Sequence, residues 1–133
     1  MKVHAFRLKP GQDLKLEIEA FAKAQNIQAG FIITGVAGLK VAKLRMAGAK
    51  TTNHPMKTFE GPLEVDGMVG TVSVNGCHIH VTVSDKNGNA YGGHLKEGCI
   101  VYPTAEIVIG EDEAKIFKRL PDTKTGFDEL VVE

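Results

Sequence analysis

A chain of 133 residues is the size of one domain and is long enough to bury a real hydrophobic core, so a single domain over residues 1–133 is expected. Its 16 basic and 16 acidic side chains cancel to a formal charge of zero, which removes the overall positive field that would draw the molecule onto nucleic acid. The longest apolar runs, such as Gly30-Phe31-Ile32-Ile33, are too short to cross a bilayer, and the start Met-Lys-Val-His-Ala lacks the apolar stretch of a signal peptide; a cytoplasmic protein with no membrane association is expected.

In chain order, Lys2 to Leu8 alternates as a short strand, and Pro10-Gly11 breaks it before Asp13, which can cap a helix running to about Gln25. Leu14, Leu16, Ile18, Phe21, Ala22 and Ala24 supply the apolar positions of that amphipathic helix. Ala29 to Val36 and Val41 to Met46 read as β, interrupted around Gly35, Ala37 and Gly38. Ala47 to Met56 reads as an exposed polar loop with His54 as a surface histidine.

From Thr58 onward the pattern is all β: Leu63 to Val65, Met68 to Val74, His78 to Ser84, Ala90 to Leu95, Ile100 to Ile109 and Ala114 to Phe117. Turns fall at Asn75-Gly76, at Lys86-Asn87-Gly88-Asn89 and at Gly110 to Glu113. Cys77 and Cys99 lie in segments that read as buried strands and fit reduced core thiols. The tail from Arg119 is polar but ends in Phe127 and Leu130-Val131-Val132, which argues for docking onto the body. The fold class is therefore α+β, mainly an antiparallel sheet with one principal amphipathic helix.

Chemistry concentrates at His78-Ile79-His80. The two-residue period of a strand puts both imidazoles on one face, about 6–7 Å apart along the strand at about 3.3 Å per residue. If the following turn is the five residues Asp85 to Asn89, Ser84 pairs with Ala90 and His94 falls directly opposite His80, so three imidazoles converge. A four-residue turn would pair His94 with Val81 and put it on the other face. Three neutral imidazoles with a free fourth position match the donor set of a catalytic zinc site, although imidazole suits copper, nickel and iron as well. Without convergence, His78 and His80 are simply polar residues on an exposed face.

Gly92-Gly93, just before His94, marks either a β-bulge or a close approach of backbone or ligand. Glu64 and Glu106 sit in otherwise apolar strand patterns, where a carboxylate needs a partner. Each could accept from an imidazole N–H, act as a general base, or pair with Arg7, Lys43 or Arg45.

Taken together, His78-Ile79-His80, Ser84-Asp85, Gly88, Gly92-Gly93-His94-Leu95, Gly98, Val101 and Thr104 to Ile109 resemble the central motif of the PPC family (plant and prokaryote conserved domain, DUF296). Arg7-Leu8, Pro10-Gly11, Gly30-Phe31, Glu60-Gly61, Leu63-Glu64, Gly70-Thr71 and Thr125-Gly126-Phe127 extend the resemblance over nearly the whole chain. The resemblance implies an α+β homotrimer whose three histidines bind zinc in some prokaryotic members. It also implies kinship with plant proteins that join this domain to an AT-hook and bind DNA in the nucleus. No Arg-Gly-Arg-Pro hook occurs here, which removes the plain means of reading an A·T minor groove. Pro62-Leu63-Glu64-Val65 stands where the family has a Phe-Glu-Ile-like segment, and Glu64 matches the family glutamate.

Two functions follow as expectations. One is a trimeric DNA-binding or regulatory interaction module with a His78, His80, His94 metal site, its basic residues Lys40, Lys43, Arg45 and Lys50 serving as a patch if the fold gathers them. The other is a zinc-dependent enzyme or small-molecule binding protein that uses the free coordination position, with Glu64 as candidate base.

Overall fold

The computed structural model describes residues 1–133. Six strands form one antiparallel sheet in the order β1-β6-β2-β3-β4-β5: β1 (Lys2–Leu8), β2 (Gly30–Arg45), β3 (Met56–Ser73), β4 (Gly76–Asp85), β5 (Ala90–Leu95) and β6 (Ile100–Glu111). One helix, α1 (Leu14–Ala24), packs against it, and β7 (Phe117–Pro121) with β8 (Asp128–Val132) makes a separate hairpin. This is the α+β architecture expected from the sequence.

α1 starts where its cap dictates. The Asp13 carboxylate accepts the Leu16 N–H at 3.1 Å, and its second oxygen accepts the Gly98 N–H at 2.7 Å, which ties the helix start to the turn between β5 and β6. Leu14, Ile18 and Ala22, four residues apart, form the fully buried stripe. Phe21 stacks on Phe6 of β1 at 3.9 Å between ring centroids. Burial of each large aliphatic side chain contributes about 1.5–3 kcal/mol, so this short helix is held by its packing rather than by its length.

Two strands are longer than the sequence suggests. β2 runs unbroken through Gly35, Ala37 and Gly38, with its register against β3 shifting between Leu39 and Val41. β3 joins the segments expected as Leu63 to Val65 and Met68 to Val74 into one strand, because Asp66 is accommodated as a register shift between Val65 and Gly67 and not as a turn. The strand expected at Ala114 to Phe117 is instead a turn leading into β7, and Gly110 and Glu111 belong to β6.

The sheet curls until its last strand meets β2 again: Leu44 pairs with Leu95 and Arg45 with His94. Inside the curl lies a core that includes Ile79, Val81, Val83, Leu44 and Leu95, all at most 2% exposed. Gly93 makes the closure feasible. A Cβ there would stand 2.9 Å from the Arg45 carbonyl oxygen and 3.0 Å from Leu44 Cβ. The register of β4 against β5 runs without a shift, so Gly93 serves close backbone approach and no bulge is present.

A buried pair that the sequence did not suggest fixes the far end of the sheet. His4 Nε2 lies 2.8 Å from Glu111 Oε2, and Glu111 Oε1 accepts the Gln28 N–H at 3.2 Å. Cys99 is fully buried, in the turn before β6 and not in a strand, whereas Cys77 is only half-buried; both are free thiols. No helix is long and apolar enough to cross a membrane.

Candidate metal centre

β4 alternates strictly, with Ile79, Val81 and Val83 inward and His78, His80 and Thr82 outward. The turn to β5 is the five-residue one. Asp85 organises it by accepting the Asn87 and Asn89 N–H groups at 2.8 and 3.0 Å, and Ser84 pairs with Ala90. His80 therefore stands directly opposite His94. The three rings lie 4.9 to 5.4 Å apart by centroid, and one nitrogen of each falls within 4.8 Å of the others.

This donor set fits one ion. Two imidazole nitrogens on a tetrahedral centre with bonds of about 2.0–2.1 Å stand about 3.3–3.4 Å apart. His78 Nε2 and His80 Nε2 are 3.2 Å apart. The electrostatics also favour the neutral ring, the form that donates a lone pair, at His94 and His78. Burial, then the Arg45 guanidinium, pushes the His94 pKa from 6.5 down to about 3. Burial, then Arg119, lowers that of His78. Cys77 borders the same cavity, yet burial followed by the charge of Glu19 pushes its thiol up to about 12, so no thiolate competes as a ligand near neutral pH.

Two arginines absent from the expected site complete it. Arg45 Nη2 lies 3.3 Å from His94 Nδ1, and its guanidinium sits over the Phe127 ring at 5.4 Å. A guanidinium can only donate, so Nδ1 accepts here and the neutral ring carries its hydrogen on Nε2. Arg119, on β7, donates to Thr71 Oγ1 at 2.7 Å. The tail thus docks, but through polar contacts, with Asn75 Nδ2 donating to the Phe117 carbonyl at 3.2 Å, while Leu130, Val131 and Val132 of the apolar finish stay exposed; it forms one wall of a cavity of about 370 Å³ beside the histidines.

Glu64 and Glu106 are both exposed, so neither needs the buried partner that their apolar surroundings implied. Glu64 lies opposite Ser84, four residues along β4 from His80, about 13 Å at about 3.3 Å per residue. Glu106 lies opposite Arg7, whose Nε donates to Thr104 Oγ1 instead. Lys40 reaches over Tyr102, whereas Arg45 turns to His94 and Phe127. His54 is exposed, as expected.

Residues 1–113 match the family described as the Plants and Prokaryotes Conserved (PCC) domain. The chain belongs to this family. It is 41% identical over its whole length to the protein named Bifunctional protein GlmU of two Synechococcus strains, and it spans only about a fifth of those relatives' own length. Among solved structures, a hypothetical protein from Salmonella enterica superposes with a TM-score of 0.91 at 36% identity, covering 99% of this chain and 93% of that one. A metal-containing protein from Archaeoglobus fulgidus gives 0.81 at 28% identity, covering 98% and 94%. A proposed DNA-binding protein from Bacteroides thetaiotaomicron gives 0.85 at 25% identity, covering 97% and 91%.

Proposed function

We propose that this PCC domain is a metal-dependent module in which His78, His80 and His94 hold one divalent transition ion, zinc by preference, and leave a coordination position facing the tail-walled cavity. The observation that carries the reading is the 3.2 Å separation of two Nε2 atoms with the His94 ring beside both. The metal-containing relative from Archaeoglobus supports it. A bound zinc ion supplies a Lewis-acid position and acidifies water there. The protein's own residues aim the three rings together and favour the neutral form at His78 and His94.

The reading extends to a homotrimer. Val3, Ile33, Val36 and Tyr102, on β1, β2 and β6, are each about half exposed, and apolar surface of this kind fits contact between copies. Light scattering should return three times the 14.3 kDa chain mass, and a monomer mass would remove this part. Glu64 belongs to the reading as a base only if a neighbouring copy delivers it, given its distance along β4 from His80.

Metal analysis of protein prepared without a nickel column should find one ion per chain in the wild type and almost none in His80→Ala. Equal content in both would end the proposal. A second reading, a DNA-associated regulatory module, is supported by the proposed DNA-binding relative from Bacteroides. It predicts salt-dependent affinity for duplex DNA in a fluorescence titration, and no salt-dependent binding would eliminate it.

A further inference from the structure

The cavity beside the histidines is lined mostly by polar groups, and the guanidinium ions of Arg45 and Arg119 share its walls with the carboxylates of Glu19, Asp128 and Glu129. The ion pairs of the chain are His4–Glu111, Lys15–Glu19 and Lys118–Glu133; neither Arg45 nor Arg119 has a carboxylate within 4.0 Å. None of the three acids on these walls makes an ion pair with either arginine. Glu19 is held by Lys15 at 2.7 Å and by the Cys77 thiol at 3.4 Å. Glu129 accepts the Thr125 hydroxyl at 2.9 Å.

Both guanidinium groups are also held in place. Arg119 uses one Nη2–H on Thr71, and Arg45 rests on the Phe127 ring, which leaves most of their five N–H donors each for something else. The bond from Arg45 to His94 Nδ1 cannot persist when His94 takes a metal. Coordination at Nδ1 needs the lone pair that Arg45 occupies, and coordination at Nε2 moves the ring hydrogen to Nδ1, where it opposes the arginine donor. A metal on His94 would therefore free that Arg45 donor for another acceptor while the guanidinium stays over Phe127.

We propose that Arg45 and Arg119 form a subsite for a small oxyanion, a carboxylate or phosphate group, one oxygen of which takes the free position on the metal. Planar guanidinium forks match both anions in geometry and charge. This inference rests on the three-histidine metal reading and adds the class of ligand that the centre receives.

The test uses the full chain loaded with Co²⁺, whose visible absorption reports its ligands. Oxalate and inorganic phosphate are titrated separately, with neutral oxamide as control. The wild-type spectrum should shift with one of the two anions at submillimolar concentration and stay unchanged with oxamide; whichever anion binds more tightly identifies the class. Arg119→Ala and Arg45→Met should each weaken the anion at least about 10-fold, and in Arg119→Ala the Co²⁺ content should stay at one per chain.

Arg119→Lys, which keeps the charge and loses the fork, should weaken it by less than Arg119→Ala and guards against a folding failure in the alanine variant. An anion response equal in wild type and arginine variants would overturn the subsite, since the metal alone would then account for it. A shift with oxamide, or none with either anion, would overturn it too. If the wild type binds no Co²⁺, the metal reading has failed and the subsite falls with it. Full Co²⁺ binding without anion response removes the subsite alone.

Discussion

Arg45 and His94 face each other across the last pair of residues that closes β5 onto β2, with guanidinium Nη2 3.3 Å from imidazole Nδ1. This single contact joins the curl of the sheet, the neutral state of the ring and the cavity wall, because the same guanidinium lies over Phe127 of the tail.

The depressed pKa of His94 makes the metal-free protein sensitive to acid. Above pH 6.5 the ring is neutral in folded and unfolded chains alike and contributes no pH dependence. Between 6.5 and about 3 the unfolded chain binds a proton that the folded one refuses, so stability falls as pH is lowered through that window. Urea midpoints of the metal-free protein should decline from pH 7 to pH 4, and His94→Gln should flatten part of the decline. In NMR titrations the His94 ring signals should hold steady from pH 8 to pH 5; a midpoint near 6.5 would contradict the assigned environment.

Gly93→Ala should cost about 1–3 kcal/mol, as overpacking does, since the new methyl meets the Arg45 carbonyl and Leu44. Separation of β5 from β2 would carry His94 away from its partners, so weaker metal binding should accompany the loss. Gly92→Ala is the control: its Cβ would meet nothing closer than 3.4 Å, and its effect should be much smaller.

Asp13→Ala removes the acceptor for both Leu16 and Gly98 and should destabilise the fold by about 1–2 kcal/mol. Chemical denaturation would measure it. Metal content per chain should not change, because α1 contributes no histidine.

Glu111→Ala should cost about 1–3 kcal/mol, since it strands a buried imidazole and the Gln28 N–H. A thermal melt showing no change would mean that water replaces the carboxylate at no cost.

Much of the site was legible in the sequence because it is local. Strand parity puts His78 beside His80, and the five-residue turn puts His94 opposite His80, all within one hairpin. Arg45 and Arg119 were not legible. Arg45 reaches His94 only because β2 continues through its glycines and pairs with a strand about fifty residues later, and nothing local announces such a pairing. Arg119 arrives on a hairpin whose apolar end signalled docking but not where. Asp66-Gly67 looked like a break in β3 because an extra residue in a strand carries the same composition as a turn.

Zinc affinity measured by competition with a chromophoric chelator tests most directly whether the three histidines act as one centre. Wild type should bind one ion per chain, and His78→Ala, His80→Ala and His94→Ala should each lose at least about 100-fold in affinity, because removing any one ligand leaves only two. Undiminished affinity in any of these variants, or binding of more than one ion per chain that persists in all three, would contradict it.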